Sequence, residues 1–172
     1  MFKPTRFFFQ FIAWGLGVIA VQTSFAQETI PLNDLSAFTN KAGNWKIVGD
    51  ASVDISKVNV LSTKPGKGVL ACLHEKGKYG QEYELVSNFK HGDLDIELDF
   101  MLTKESNSGI YLQGNYEVQL FDSWGKKSAK YGDNGGIYER WDESKPEGEK
   151  GYEGYAPRFN VAKAPGLWQK IG

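Results

Sequence analysis

The chain has 172 residues, 41% hydrophobic, 14% aromatic and 24% charged, with a formal net charge of −1. A single domain is the expectation for that length, and the near-neutral balance provides no electrostatic footprint for nucleic acid. One cysteine, Cys72, excludes an internal disulfide, so the fold stands on its core alone.

The N-terminal stretch reads as a targeting segment. Lys3 and Arg6 form a short basic start, and an apolar run from Phe7 to Val21 follows, broken by Gln10. Ser24-Phe25-Ala26 then places small residues where a signal peptidase reads. A spanning helix needs about 20 apolar residues with anchoring flanks, and this run is shorter and lacks a basic stop-transfer cluster. The reading is a secretory signal peptide over 1–26, cleaved after Ala26, with a sandwich domain over 27–172. The product is secreted or periplasmic and keeps no stable membrane anchor. No cysteine stands directly after the apolar run, so a lipid anchor is not expected.

Downstream, short runs of period two alternate with Gly, Asn, Asp and Pro clusters, the pattern of many short strands. They fall at 45–48, 51–55, 58–61, 68–73, 83–87, 93–103, 109–113, 116–121, 136–141 and 167–171. Cys72, within an apolar run, reads as a buried inert thiol. His74 and His91 are the only histidines, and neither lies in a zinc-type H-E-x-x-H spacing. The alternation is clearest over 93–103, where Leu94, Ile96, Leu98, Phe100 and Leu102 interleave with Asp93, Asp95, Glu97 and Asp99. One face is buried and the other meets water, and the acids are read as a solvated face that discourages edge pairing.

Residues 109–113 and 116–121 form a hairpin signal around Gly114-Asn115. If Ile110, Leu112, Val118 and Leu120 face the core, Tyr111, Gln113, Glu117 and Gln119 share the opposite face. On a concave sheet that face is a sugar groove; on a plain one it is merely solvated. Residues 122–135 read as a loop, in which Lys126, Lys127 and Lys130 are solvated. By parity Tyr138 and Arg140 oppose Ile137 and reach the groove, whereas Glu139 falls on the Ile137 side. The polar segment 142–165 is too long for idle loop in a compact domain, and its Tyr152, Tyr155 and Arg158 are placed to rim a groove.

Three blocks carry a resemblance. They are Asn107-Ser108-Gly109-Ile110-Tyr111-Leu112-Gln113-Gly114 with Tyr116-Glu117-Val118-Gln119-Leu120-Phe121-Asp122-Ser123, then Gly135-Gly136-Ile137-Tyr138, then Ala156-Pro157-Arg158-Phe159-Asn160 with Ala164-Pro165-Gly166-Leu167-Trp168-Gln169. In order and spacing they resemble the 3-keto-disaccharide hydrolase family. The resemblance implies an all-β, antiparallel concanavalin-like jelly-roll sandwich and an exported bacterial enzyme. It implies hydrolysis of glycosides oxidised at carbon 3. It also implies further strands past the Trp168-Gln169 block, so that the sandwich is expected to be incomplete at Gly172.

A ketone at carbon 3 acidifies the proton on carbon 2. The site then needs a base, a donor for the ketone oxygen and an acid for the leaving group. Glu117 is the first candidate for base or acid, with Asp122 and Tyr138 as further catalytic candidates. Gln113, Gln119, Tyr111, Arg140, Asn107 and Trp124 are candidates for substrate contact. Asn107 serves equally well to hold the Ser108-Gly109 turn, and Trp124 to pack; Trp168 reads as core. No cofactor is expected. Calcium enters only because lectin-like sandwiches hold it, with Asp133 and Asn134 as oxygen donors, and the metal stays unassigned. The partner is a small carbohydrate, a 3-keto-disaccharide or another glycoside. Two other readings use the same residues: a non-catalytic carbohydrate-binding lectin-like module, and a conventional glycosidase pairing Glu117 with Glu139 or Asp122.

Overall fold

The computed structural model describes residues 29–39, 43–73, 80–140, 142, 144–147 and 154–172. The signal segment, His74, Trp141 and Tyr152 lie outside these. The described residues form antiparallel β-pairs, one short 3₁₀ turn at Gln81–Tyr83 and no α-helix.

Strand β1 (Trp45–Val53) pairs with β2 (Leu61–Cys72) from Trp45↔Cys72 to Val53↔Leu61. The sequence pattern suggested four short strands here, and the structure merges them into two long ones. The reason is local. Gly49 reads as a break, yet the ladder continues through it with an irregularity between Val48 and Asp50. The two backbones nearly touch there: a Cβ on Gly49 would lie 2.7 Å from the Pro65 carbonyl oxygen. Glycine thus permits the close crossing rather than ending the strand. Cys72 is exposed, correcting the expectation of burial. Its neighbour Ala71 takes the inward position, and Cys72 turns out to meet the Asn44 amide at 3.5 Å.

The acidic alternating run keeps little of its ladder, and its apolar face is covered only in part, since Leu94 is exposed. Only β3 (Leu98–Phe100) pairs, with β6 (Gln169–Ile171), in the register Leu98↔Ile171 to Phe100↔Gln169. Phe100, Leu102 and Leu120 are buried, with Leu98, Ile110 and Ile171 packed against them. Asp95, Glu97 and Asp99 stay exposed, as solvated carboxylates must.

Strands β4 (Asn107–Leu112) and β5 (Tyr116–Phe121) form the predicted hairpin, with Tyr111↔Glu117 and Gly109↔Gln119 directly opposed. The turn sits one residue earlier than Gly114-Asn115. Gln113 and Gly114 both adopt left-handed backbone, at φ 54° and 63°, and the Asn115 N–H donates to the Leu112 carbonyl at 3.0 Å. These are type I′ features, which suit the right-handed strand twist. The expected strand at 136–141 shrinks to a short rung along the free edge of β5. Gln119 N–H donates to the Gly136 carbonyl at 2.8 Å and Tyr138 N–H to the Glu117 carbonyl at 2.9 Å. Beyond it, Ile137 and Tyr155 exchange two hydrogen bonds of 2.9 Å. A row of backbones thus runs β4, β5, Ile137, Tyr155, and it carries the site.

Candidate functional site

The hairpin places Asn107, Gly109 and Tyr111 of β4 beside Glu117 and Gln119 of β5 on the face opposite Ile110 and Leu120. The rung at 136–138 brings Tyr138 alongside Glu117 by the same parity. A cleft of ≈ 230 Å³ opens at the turn end of this face, lined by Tyr111, Asn115, Glu117, Tyr138, Glu139 and Arg140. The Arg140 guanidinium lies 5.9 Å from the Tyr116 ring centroid, and Tyr138 meets Tyr131 edge-on at 5.7 Å. Aromatic walls with a few polar groups are the usual make-up of a small-ligand site.

Glu117 is the centre of the cleft's chemistry. Tyr111 Oη donates to Glu117 Oε2 at 2.9 Å. Burial pushes the Glu117 carboxyl above its ordinary value; the Tyr111 hydrogen bond pulls the other way, and the Glu84 charge adds to the rise. Tyr111 is pushed up to about 12, first by burial of its hydroxyl and then by the adjoining Glu117 carboxylate. The residue as a whole is nevertheless 52% exposed, so it remains accessible at the cleft while its hydroxyl is held by Glu117. A Tyr111→Phe variant removes a hydrogen bond that favours ionised Glu117. The acid limb of any rate profile that needs the Glu117 carboxylate should therefore move to higher pH, as kcat/KM against pH would show.

The other sequence candidates divide. Tyr111, Glu117, Tyr138 and Arg140 meet in the cleft. Glu139 joins them, although parity put it on the Ile137 side: the strand does not persist past the Ile137 bridge, so strand alternation stops applying. Glu139 is also hydrogen-bonded to Tyr131, whose hydroxyl it pushes up. Gln113 is an exposed turn residue and does not share the face assigned to it. Gln119 is on the right face but only 3% exposed, so its amide supports the site from beneath rather than meeting ligand. Asn107 contacts that amide at 3.0 Å.

Asp122 sits at the end of β5 away from the turn. Its carboxylate accepts from the Glu105 N–H at 2.9 Å and the Trp124 N–H at 3.4 Å. Glu105 has φ 59°, a left-handed bend that Asp122 stabilises, so the structure gives this carboxylate a fold role away from the cleft. Trp124 is 55% exposed and Trp168 45% exposed; neither lines the cleft, and Trp168 does not take the core position expected of it.

The loop beneath the rung is held by buried polar groups. Asp133, 2% exposed, accepts from Lys126 Nζ at 2.5 Å and from the Lys130 N–H at 2.9 Å. A lysine ammonium thus pairs with that carboxylate, and the neighbouring Asn134 Oδ1 is buried without a hydrogen-bond partner. Lys126 is correspondingly an ion-pair partner rather than a purely solvated lysine. Ser123, fully buried, donates to Asn160 Oδ1 at 3.0 Å, and Asn160 Nδ2 donates to the Ser123 and Lys126 carbonyls at 2.7 and 3.0 Å. Two of the sequence blocks are thereby tied together by side chains. Asn160→Ala leaves these buried partners unpaired and should cost about 1–3 kcal/mol in denaturant unfolding.

The antiparallel strand pairs, with an aromatic, carboxylate-bearing cleft on one sheet face, define an all-β sandwich protein in class. Residues 30–172 match the model of the 3-keto-alpha-glucoside-1,2-lyase-like domain, and the chain belongs to that family, whose fold is concanavalin-like. No curated protein and no solved structure matched the chain.

Proposed function

We propose that this protein cleaves 3-keto-glycosides by elimination across carbons 1 and 2, with hydration completing a net hydrolysis. The observation that carries the reading is a partly buried carboxylate, Glu117, hydrogen-bonded to Tyr111 in a cleft shared with Tyr138, Glu139 and Arg140. Family membership supplies the carbohydrate class.

The chemistry follows from the ketone. The Glu117 carboxylate takes the carbon-2 proton, and the C–H electron pair passes into a carbon 2–carbon 3 double bond, leaving charge on the ketone oxygen. Arg140 and the Tyr138 hydroxyl are the cleft's donors for that oxygen. The enolate electrons then form the carbon 1–carbon 2 double bond as the bond from carbon 1 to the departing oxygen breaks. That oxygen takes a proton from a second acidic group of the cleft, a role we assign to Glu139. Water finally adds across the new double bond, its oxygen to carbon 1 and a proton to carbon 2. A carboxylate of raised pKa is the stronger base, which suits proton abstraction from carbon. We place the reaction outside the cytoplasm because of the leader-like residues 1–26.

Incubation of the protein with a 3-keto-disaccharide, followed by chromatography, should release both sugars, while the unoxidised disaccharide stays intact. Cleavage of the unoxidised sugar instead would favour a second reading. The presence of Glu139 beside Glu117 in one cleft is compatible with a conventional two-carboxylate glycosidase. Recovery of a bound but unaltered 3-keto ligand would point to a lectin-like module.

A further inference from the structure

The Gln119 side chain lies buried between two sets of partners. One end of its amide is 3.0 Å from Asn107 Oδ1 and 3.4 Å from the Gly132 carbonyl. The other end is 3.1 Å from Glu117 Oε1 and 3.2 Å from the Ser108 carbonyl. A primary amide offers a donor at one end and an acceptor at the other, and with Glu117 ionised only the orientation with nitrogen toward Glu117 and Ser108 satisfies both ends. With nitrogen toward Asn107 and Gly132, the amide oxygen confronts Glu117 Oε1, which is attractive only if Glu117 carries a proton. With nitrogen toward Glu117 and Ser108, the amide donates to an ionised carboxylate. Asn107 then turns its own nitrogen to Gln119, the contact remaining at 3.0 Å. Each orientation gains one backbone carbonyl and gives up the other, so the backbone contributions nearly cancel. The charge on Glu117 is left to decide.

We propose that Gln119 is a positioning residue whose amide reverses with the protonation state of Glu117, with Asn107 turning in concert. This rests on the reading of Glu117 as a group that takes up and returns a proton. Such a group needs a donor while charged and an acceptor while neutral, and Gln119 supplies both from one buried site. An isolated buried carboxyl would be well solvated in only one of its two states. The other groups facing Glu117 are Tyr111 from β4, Glu84 from the segment after the 3₁₀ turn, and Tyr138, Glu139 and Arg140 from the rung. Arg140 only donates, and Tyr111, whose hydroxyl can donate or accept, is engaged at Oε2, so Oε1 is left to the Gln119 amide.

The test is NMR on the full chain, labelled to report the Glu117 carboxyl carbon and the Gln119 side-chain nitrogen across a pH series. The expected result is that the Gln119 signal shifts with the same midpoint as Glu117, and that the Asn107 side-chain signal moves with it. In Glu117→Gln that shift should be lost. A Gln119 signal that stays flat through the Glu117 titration would overturn the proposal. So would a shift that persists in Glu117→Gln, which would trace it to Glu84 or Glu139. Neither readout involves turnover: a protein inactive on 3-keto sugars can still show the coupled titration, and an active one can fail to show it.

Discussion

Glu117→Gln should lower kcat/KM on a 3-keto-glycoside by about 10²–10⁴-fold, the usual contribution of a positioned general base. The replacement is close to isosteric and can still accept from Tyr111 Oη, so the cleft's shape should survive. What disappears is the acceptor for the carbon-2 proton. The same substitution carries a stability signature of opposite sign. Burial raises the Glu117 pKa above its unfolded value. Such a carboxyl contributes to folding stability fully below its unfolded pKa, and that contribution is lost as pH rises through the folded pKa. At pH above the folded value the wild type therefore folds with a strained charge that Gln lacks. Glu117→Gln should melt higher than wild type there, and the advantage should shrink to nothing on acidification. Scanning calorimetry at several pH values, set beside the kinetics, checks both. Wild-type turnover by the variant would remove Glu117 from the reaction, and a uniform Tm difference at all pH would remove the burial argument.

Gly109→Ala should abolish most activity while leaving the fold nearly intact. Gly109 stands opposite Gln119 on β4, and the Glu117 side chain lies over it. A Cβ there would come within 2.6 Å of Glu117 Cγ and 2.8 Å of Cδ. The obstruction is a flexible side chain rather than backbone, so Glu117 can swing outward. Alanine also loses less conformational entropy in a strand than glycine, by about 0.5–1 kcal/mol. The carboxylate would leave its Tyr111 and Gln119 contacts, and misplacement of about 1 Å costs on the order of 10²-fold. The expected result is a kcat loss of that order with unchanged far-UV circular dichroism and Tm. Full activity would show that the position of Glu117 over β4 is not the productive one. A collapse of Tm would show that the strand itself needs the glycine.

Much of the site was legible because period-two alternation is a backbone property. Tyr111, Glu117 and Gln119 share a face for the same reason that Ile110 and Leu120 share the other. Alternation stops applying where the backbone leaves the strand conformation. Left-handed φ at the turn removes Gln113 from it. Glu139 enters the cleft because the strand does not extend so far. Parity states only which face the Gln119 side chain takes, not how deeply it is covered. Asp122 looked like a second acid, and its oxygens proved to be engaged by the Glu105 and Trp124 amides.

The amino-acid sequence by itself determined the all-β character, the hairpin of β4 and β5, the polar face that bears Glu117, and the family blocks. These depend on neighbours a few residues apart, where side-chain direction follows from local backbone geometry. Only the tertiary structure decided which polar groups meet. The cleft joins the hairpin to residues 138–140; elsewhere Ser123 meets Asn160 across the chain, and Gln119 meets Asn107 under Glu117. Such contacts depend on where the chain returns, and on depth from solvent, neither of which a local alternation encodes.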